Sequence, residues 1–320
     1  MSANRNYNVD SLKLLCAIFV VLIHSQFLFK DIVIPLLRVA VPIFFMISGY
    51  FMYGPNIAER IKRAIRRMLN IFIWSNLIYA AAKELLAIYH HDVFIPSKAE
   101  LLNFLFLNEN PFGWHLWYIG AYLYVLIIVY FINRFNKWKY LFYVAPILIV
   151  ALLLMSYFDV ERVYYRNFLF MGLPFFSIGA FLRKKQISCN VNWCTFSCLF
   201  LLGIFSIVEK YITGLNQELF LSSLILSVGI LLCVVSEKKQ KNNVISKLGG
   251  QYSLDIYIFH GLFILYFFPT INGHCGSSWN RIYNSISPIF IVGITFIFVF
   301  LYEKIKLILV KHCYGAKENF

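Results

Sequence analysis

The sequence predicts an all-α integral membrane protein of about ten transmembrane helices with both termini on the cytoplasmic side, and three observations predict it. The first is composition. Of 320 residues 60% are hydrophobic and only 14% charged, with a mean hydropathy of +0.70, whereas soluble domains carry about 25% charged residues. Too few charges remain to cover a water-facing surface. The second is the spacing of apolar runs. At about 20 residues per spanning helix, the apolar content is enough for about nine or ten crossings and leaves no room for a large soluble domain. The third is the placement of Lys and Arg, which exceed Asp and Glu by 29 to 15. In a soluble chain that surplus would point to nucleic acid; in a membrane chain its distribution carries topology instead.

Apolar runs separated by polar or Pro/Gly-containing breaks fall at about 12–29, 32–53, 71–89, 115–132, 140–158, 168–182, 191–212, 217–236, 254–268 and 288–310. The first has no small-residue cleavage site and a second follows almost at once, so it reads as a retained span rather than a signal peptide. With the N-terminus inside, segments 1–13, 54–70, 133–139, 183–190, 237–253 and 303–320 become cytoplasmic and hold 21 of the 29 Lys and Arg. Inverting the arrangement would put those charges outside, against the positive-inside rule. The chain reads as one transmembrane domain over residues 1–320, in a cell (inner or cytoplasmic) membrane. Only Cys275 of the seven cysteines falls outside, so no disulfide is expected. Cys194 and Cys198 share a helix face and read as small packing residues. No zinc spacing, nucleotide loop or 20–50-residue repeat is present, so neither a metal nor nucleic acid is implied.

Ionisable groups inside spans carry the functional signal, because each costs a few kcal/mol at the bilayer centre. In the first span Asp10, Lys13 and His24 lie on one face, since eleven residues at 100° return to within about 20° of the start, about 16 Å along the axis. Lys13 then sits at the cytoplasmic mouth with Asp10 as its i,i+3 partner, and His24 lies more than halfway across. The plainer alternative is a snorkelling lysine and a histidine bonded to a backbone carbonyl. The second span carries Arg38 at about the depth of His24, roughly 8 Å from the outer edge, where it either holds an anion or a developing oxyanion or snorkels to headgroups. Further along, Ser48-Gly49 forms a small patch that lets a helix or ligand approach the backbone. Before the third span, Lys62, Arg63, Arg66 and Arg67 form one basic helical face. It reads as an anchor on anionic lipid or as a phosphate cradle, since Arg pairs bidentately with phosphate.

Five motifs follow one another along the chain: Asp10, Lys13 and His24; Val41-Pro42-Ile43-Phe44-Phe45-Met46-Ile47-Ser48-Gly49-Tyr50; the basic run Lys62 to Arg67; His115-Leu116-Trp117-Tyr118; and Ser253-Leu254-Asp255-Ile256-Tyr257-Ile258-Phe259-His260. In this order they resemble the acyltransferase family 3 of membrane O-acyltransferases, over almost the whole chain. The resemblance implies transfer of an acyl group, usually acetyl, from cytoplasmic acyl-CoA to a hydroxyl of a cell-surface glycan or its lipid-linked precursor. It implies acetyl-CoA or another acyl-CoA as donor substrate; with the sequence ending soon after the tenth span, the membrane domain alone is expected, without the extracytoplasmic hydrolase-like domain some relatives append. It favours His24 as base or acyl carrier, and Lys62, Arg63, Arg66 and Arg67 as holders of the coenzyme A phosphates. Lys13, which replaces the family's usual arginine, keeps the charge and loses the bidentate fork.

On this reading the acyl-pantetheine arm threads from Lys13 past Ser48 and Gly49 to His24, and Asp10 supports Lys13. Outer loops 90–114 and 269–287 build the acceptor side. There His115, Trp117, Arg162 and Arg166, with Tyr164 and Tyr165, offer aromatic and basic surface, although interfacial belts produce the same pattern. His260, placed about 9 Å from the cytoplasmic edge, reads as a structural or donor-site residue. The competing class is a polytopic transporter or exporter of a glycan or small solute, against which no symmetry between the two halves of the chain is visible.

Overall fold

The structure is a computed structural model and describes residues 5–215, 217–274 and 276–315. It is all-helical among those residues, apart from one bridge between Phe27 and Ile286. Helix α1 (Tyr7–His24) begins where the Asn6 side chain accepts from the Val9 N–H, the usual remedy for an orphaned first-turn donor. The second apolar run breaks at Arg38 and Val39 into α2 (Lys30–Leu37) and α3 (Ala40–Met52). The third is longer than expected: α4 (Ile57–Tyr89) is one 33-residue helix, about 50 Å against a hydrocarbon core of about 30 Å. Its basic first turns are therefore helical rather than loop and stand clear of the apolar stretch.

The expected loop 90–114 contains α5 (Lys98–Leu107), started by a capping box between Ser97 and Glu100. Then come α6 (Trp117–Arg134), α7 (Trp138–Tyr157), α8 (Leu173–Lys185) after a π turn at Phe168–Gly172, α9 (Trp193–Thr213) and α10 (Leu221–Ser236). Helix α11 (Val244–Leu262) continues through a second π turn into α12 (Phe268–His274), and α13 (Ser277–Gly315) is the last described helix. Among the described residues eight helical stretches are long and apolar enough to cross a bilayer. Of the other two runs expected to span, α10 is 16 residues long and α8 carries Arg183, Lys184 and Lys185 in its last turn. Phe200, Leu201 and Phe205 on α9 and Ile147 and Val150 on α7 are exposed, forming faces that water would not tolerate and lipid would.

The centre is built on two close helix pairs. A Cβ on Gly249 of α11 would lie 1.9 Å from the Asp10 carbonyl oxygen, so α11 presses its backbone on the start of α1. Since His260 stacks on His24 further along, these two helices run parallel. On α3 and α8, Gly49 faces the Phe176 carbonyl and Gly179 faces that of Met46, again at 1.9 Å for an added Cβ. Small residues let the backbones meet where lipid provides no hydrophobic drive. Helix α13 kinks at Ile286 ahead of Pro288. Just past the kink, the buried Ser287 hydroxyl accepts from the Gln26 N–H at 2.7 Å and donates to the Gln26 carbonyl at 2.8 Å. The turn after α1 is thereby held in place.

Successive helices deliver alternate connections to opposite ends of the bundle. One end gathers Arg5, Arg60, Arg183 and Lys239; the other gathers the 25–29 turn, the 158–167 connector and the segment before α10. They are called here the basic end and the cavity end.

Candidate active site

His24 is the last residue of α1 and opens onto a cavity of about 560 Å³ at the cavity end. Three elements remote in sequence meet it there. Trp114, in the 3₁₀ turn entering α6, packs edge-on against the His24 ring at 3.9 Å between centroids. His260 of α11 stacks with the His24 ring at 5.7 Å, and His115 meets His260 at 4.9 Å. His115 and His260 are fully buried.

Hydrogen bonds fix the two buried rings. His260 Nδ1 faces the carbonyl oxygens of Tyr257 at 2.6 Å and Ile256 at 3.2 Å. Carbonyls only accept, so Nδ1 carries the proton and Nε2 presents a lone pair. His115 Nε2 likewise faces the Ile258 carbonyl at 3.2 Å and donates to it, and that same oxygen accepts from Tyr79 Oη at 2.7 Å. The Tyr257 hydroxyl donates to the His115 carbonyl. Gly261 makes this possible, because a Cβ there would lie 2.2 Å from the His115 ring. The π turn at Phe263–Phe267 begins two residues later, a distortion of the kind often found at functional sites. His24 has no hydrogen bond to the described side chains and is left to the cavity.

The opposite wall is cationic. Arg38, from the break between α2 and α3, is buried and lines the cavity with Lys30, Arg162 and Arg166. Glu218, in the connector before α10, lies 3.6 Å from Arg162 and 3.7 Å from Arg166. Burial pushes its carboxyl up, but Arg38, Arg166 and Arg162 together outweigh that and hold it below the ordinary glutamate value. Arg166 also stands 5.7 Å over the Trp117 ring, a cation–π arrangement. Trp117 lines the cavity as well, Tyr165 is buried, and Tyr164 is exposed.

The structure brings together His24, Arg38, His115, Trp117, Arg162 and Arg166 around one cavity, and His260 beside His24. The placement of His260 is a correction. Helix α11 starts at Val244, ten residues before the expected span, so His260 lies about 24 Å along it rather than 9 Å. The expected donor residues lie outside the cavity lining. Asp10 is buried and paired with Lys13 at 3.0 Å and Arg5 at 2.7 Å, a closed ionic knot at the basic end. Gly49 is a second correction: its open face is filled by the backbone of α8 and does not line a donor path. Ser48 donates to the Phe44 carbonyl at 2.9 Å. Lys62, Arg63, Arg66 and Arg67 are exposed on the first turns of α4, and Lys62 pairs with Glu59 at 3.2 Å.

Sequence reasoning missed Glu218, Trp114, Lys30 and Tyr257. Glu218 carried a usable signal, being an acid at the head of an apolar run, and Trp114 adjoins His115. The support from Tyr79 carried none, because its partner carbonyl is 179 residues away.

Comparison with known families now adds to this geometry. The acyltransferase domain family matches residues 6–303. The chain belongs to that family. With its long apolar helices, this member of acyltransferase family 3 is a multi-pass membrane protein. It is similar to an amino-acid racemase of Enterococcus faecalis, 30% identical over 41% of this chain and 20% of the relative, and to another of the same organism, 26% identical over 58% and 29%. A serine/alanine racemase of Enterococcus gallinarum is 28% identical over 37% of this chain and 18% of the relative. The alignments thus span less than a third of each relative. No solved structure matches.

Proposed function

We propose that this family member is a membrane O-acyltransferase. It moves an acyl group, most simply acetyl, from acyl-CoA at the basic end to a hydroxyl of a cell-surface glycan or lipid-linked precursor at the cavity end. The observation that carries the reading is His24, an imidazole facing a 560 Å³ cavity whose far wall holds Arg38. Acyl transfer to an alcohol needs a base beside the hydroxyl and donors beside the thioester oxygen as it becomes an oxyanion. His24 serves as that base or as a transient acyl carrier, and Arg38 as the oxyanion donor.

His260 and Trp114 pack against the His24 ring, so its orientation is set before substrate arrives. Trp117 offers an apolar platform for a sugar ring, with Arg166 behind it. On the donor side the exposed Lys62, Arg63, Arg66 and Arg67 suit the phosphates of coenzyme A in charge and spacing. Lys13, bound to Asp10, guards the start of the helix that leads to His24. The positive-inside rule supports placing the basic end, both termini included, in the cytoplasm of a bacterial-type inner membrane.

The deciding measurement is the O-acyl content of surface glycan, read by mass, in cells carrying wild type, His24→Ala and Arg66→Ala at matched protein levels. Loss of acylation in His24→Ala is expected; unchanged acylation refutes the mechanism. Movement of a sugar across the membrane with no acyl gain would instead mark the chain as an exporter.

A further inference from the structure

The cavity beside His24 is charged in a way acyl transfer alone does not require. Four cationic side chains, Lys30, Arg38, Arg162 and Arg166, line it against two carboxylates, Asp31 and Glu218. Asp31 has a side chain 98% exposed, 4.0 Å from Lys210, so Glu218 is the carboxylate held among the arginines. Positive charge gathered in a recess walled by Trp114, Trp117 and Tyr257 suits an anionic ligand. Each guanidinium offers five N–H donors. The contact from Arg166 to Glu218, 3.7 Å, is longer than the close charge-assisted bonds such pairs form when fully engaged. An oxyanion at the thioester needs a donor or two, which Arg38 supplies. Arg162 and Arg166 lie in the connector between α7 and α8, and a cluster of this kind fits a group already charged when it arrives.

We propose that the acceptor carries a permanent negative charge, a phosphate or carboxylate, which Arg162 and Arg166 bind while Glu218 occupies their place until the ligand arrives. The acceptor is accordingly an anionic sugar, such as a sugar phosphate or uronic acid, rather than a neutral one. Its sugar ring lies against Trp117, which brings a hydroxyl toward His24. This assignment rests on the acyl-transfer reading for the acceptor's role but not for the binding.

The test uses the purified full chain in phosphatidylcholine nanodiscs with no acyl-CoA present, with binding measured by calorimetry for glucose 1-phosphate, glucuronic acid and glucose. Binding of the two anions at least about tenfold tighter than glucose is expected, and equal binding of all three would overturn the proposal. Arg162→Gln with Arg166→Gln should abolish the preference, while Glu218→Gln should tighten glucose 1-phosphate severalfold. That gain cannot come from misfolding, and its absence would remove Glu218 from the site. Repeating the measurement in phosphatidylglycerol nanodiscs distinguishes the source of the anion: unchanged binding supports a sugar ligand. Loss of binding there would assign the cluster to a lipid headgroup and overturn the acceptor reading. A chain that binds anionic sugars yet transfers no acyl group would refute acyl transfer alone. Equal acylation of neutral and anionic sugars would refute this inference alone.

Discussion

The two ends of helix α1 carry ionisable groups of similar cost and treat them in opposite ways. At the basic end Asp10 is enclosed, with Arg5 and Lys13 on its two oxygens and the α11 backbone over its carbonyl. At the other end His24 is held only by ring packing and looks into a cavity. A buried charge whose partners come from its own neighbourhood is architecture. A polar group held by ring packing and facing a cavity is poised for a ligand. The contrast separates residues that sequence spacing alone had put in one functional file along a single helix face.

Substitutions at the two ends should therefore fail differently. The largest effect belongs to neither end but to the packing between them: Gly49→Leu drives a side chain into the Phe176 carbonyl, and folded protein should be lost by size-exclusion in detergent. Next, His24→Ala should lower acyl transfer by about 10²–10⁴-fold with an unchanged melting temperature. A comparable loss of stability would mean His24 is architectural after all. Asp10→Asn should do the reverse, costing about 1–2 kcal/mol in thermal unfolding, since its partners are partly exposed, while keeping most of the turnover in protein that remains folded. Smallest is Arg66→Ala, expected to raise the KM for acyl-CoA several fold with little change in kcat. A fall in kcat instead would place the donor phosphates elsewhere.

Much of the fold was legible in advance because the bilayer leaves few options. A chain with so few charges must satisfy its backbone internally, so the apolar runs had to become helical, the second of them as two helices, α2 and α3. Boundaries were less legible. The helix α4 hid its first four turns behind charged residues, and α11 began ten residues early, because charge marks where a helix leaves the hydrocarbon and not where it starts. For the site, His24, Arg38 and His115 stood out by their polarity in apolar surroundings. Glu218 could have been seen by the same logic. Gly49 could not have been read correctly, since a glycine that admits a ligand and one that admits a helix are identical until the neighbour is known.

The linear order of residues was enough to establish an all-helical membrane chain and to single out His24, because composition and hydropathy act locally and the cost of a buried polar group does not depend on which helix lies beside it. Only the folded arrangement decided that His24, Trp114, His115 and His260 form one cluster, that three arginines converge on Glu218, and that Asp10 and Gly49 serve packing. These depend on which helices pair and in which direction. That choice is made by close backbone contacts at Gly49, Gly179 and Gly249, between positions whose partners lie more than a hundred residues away.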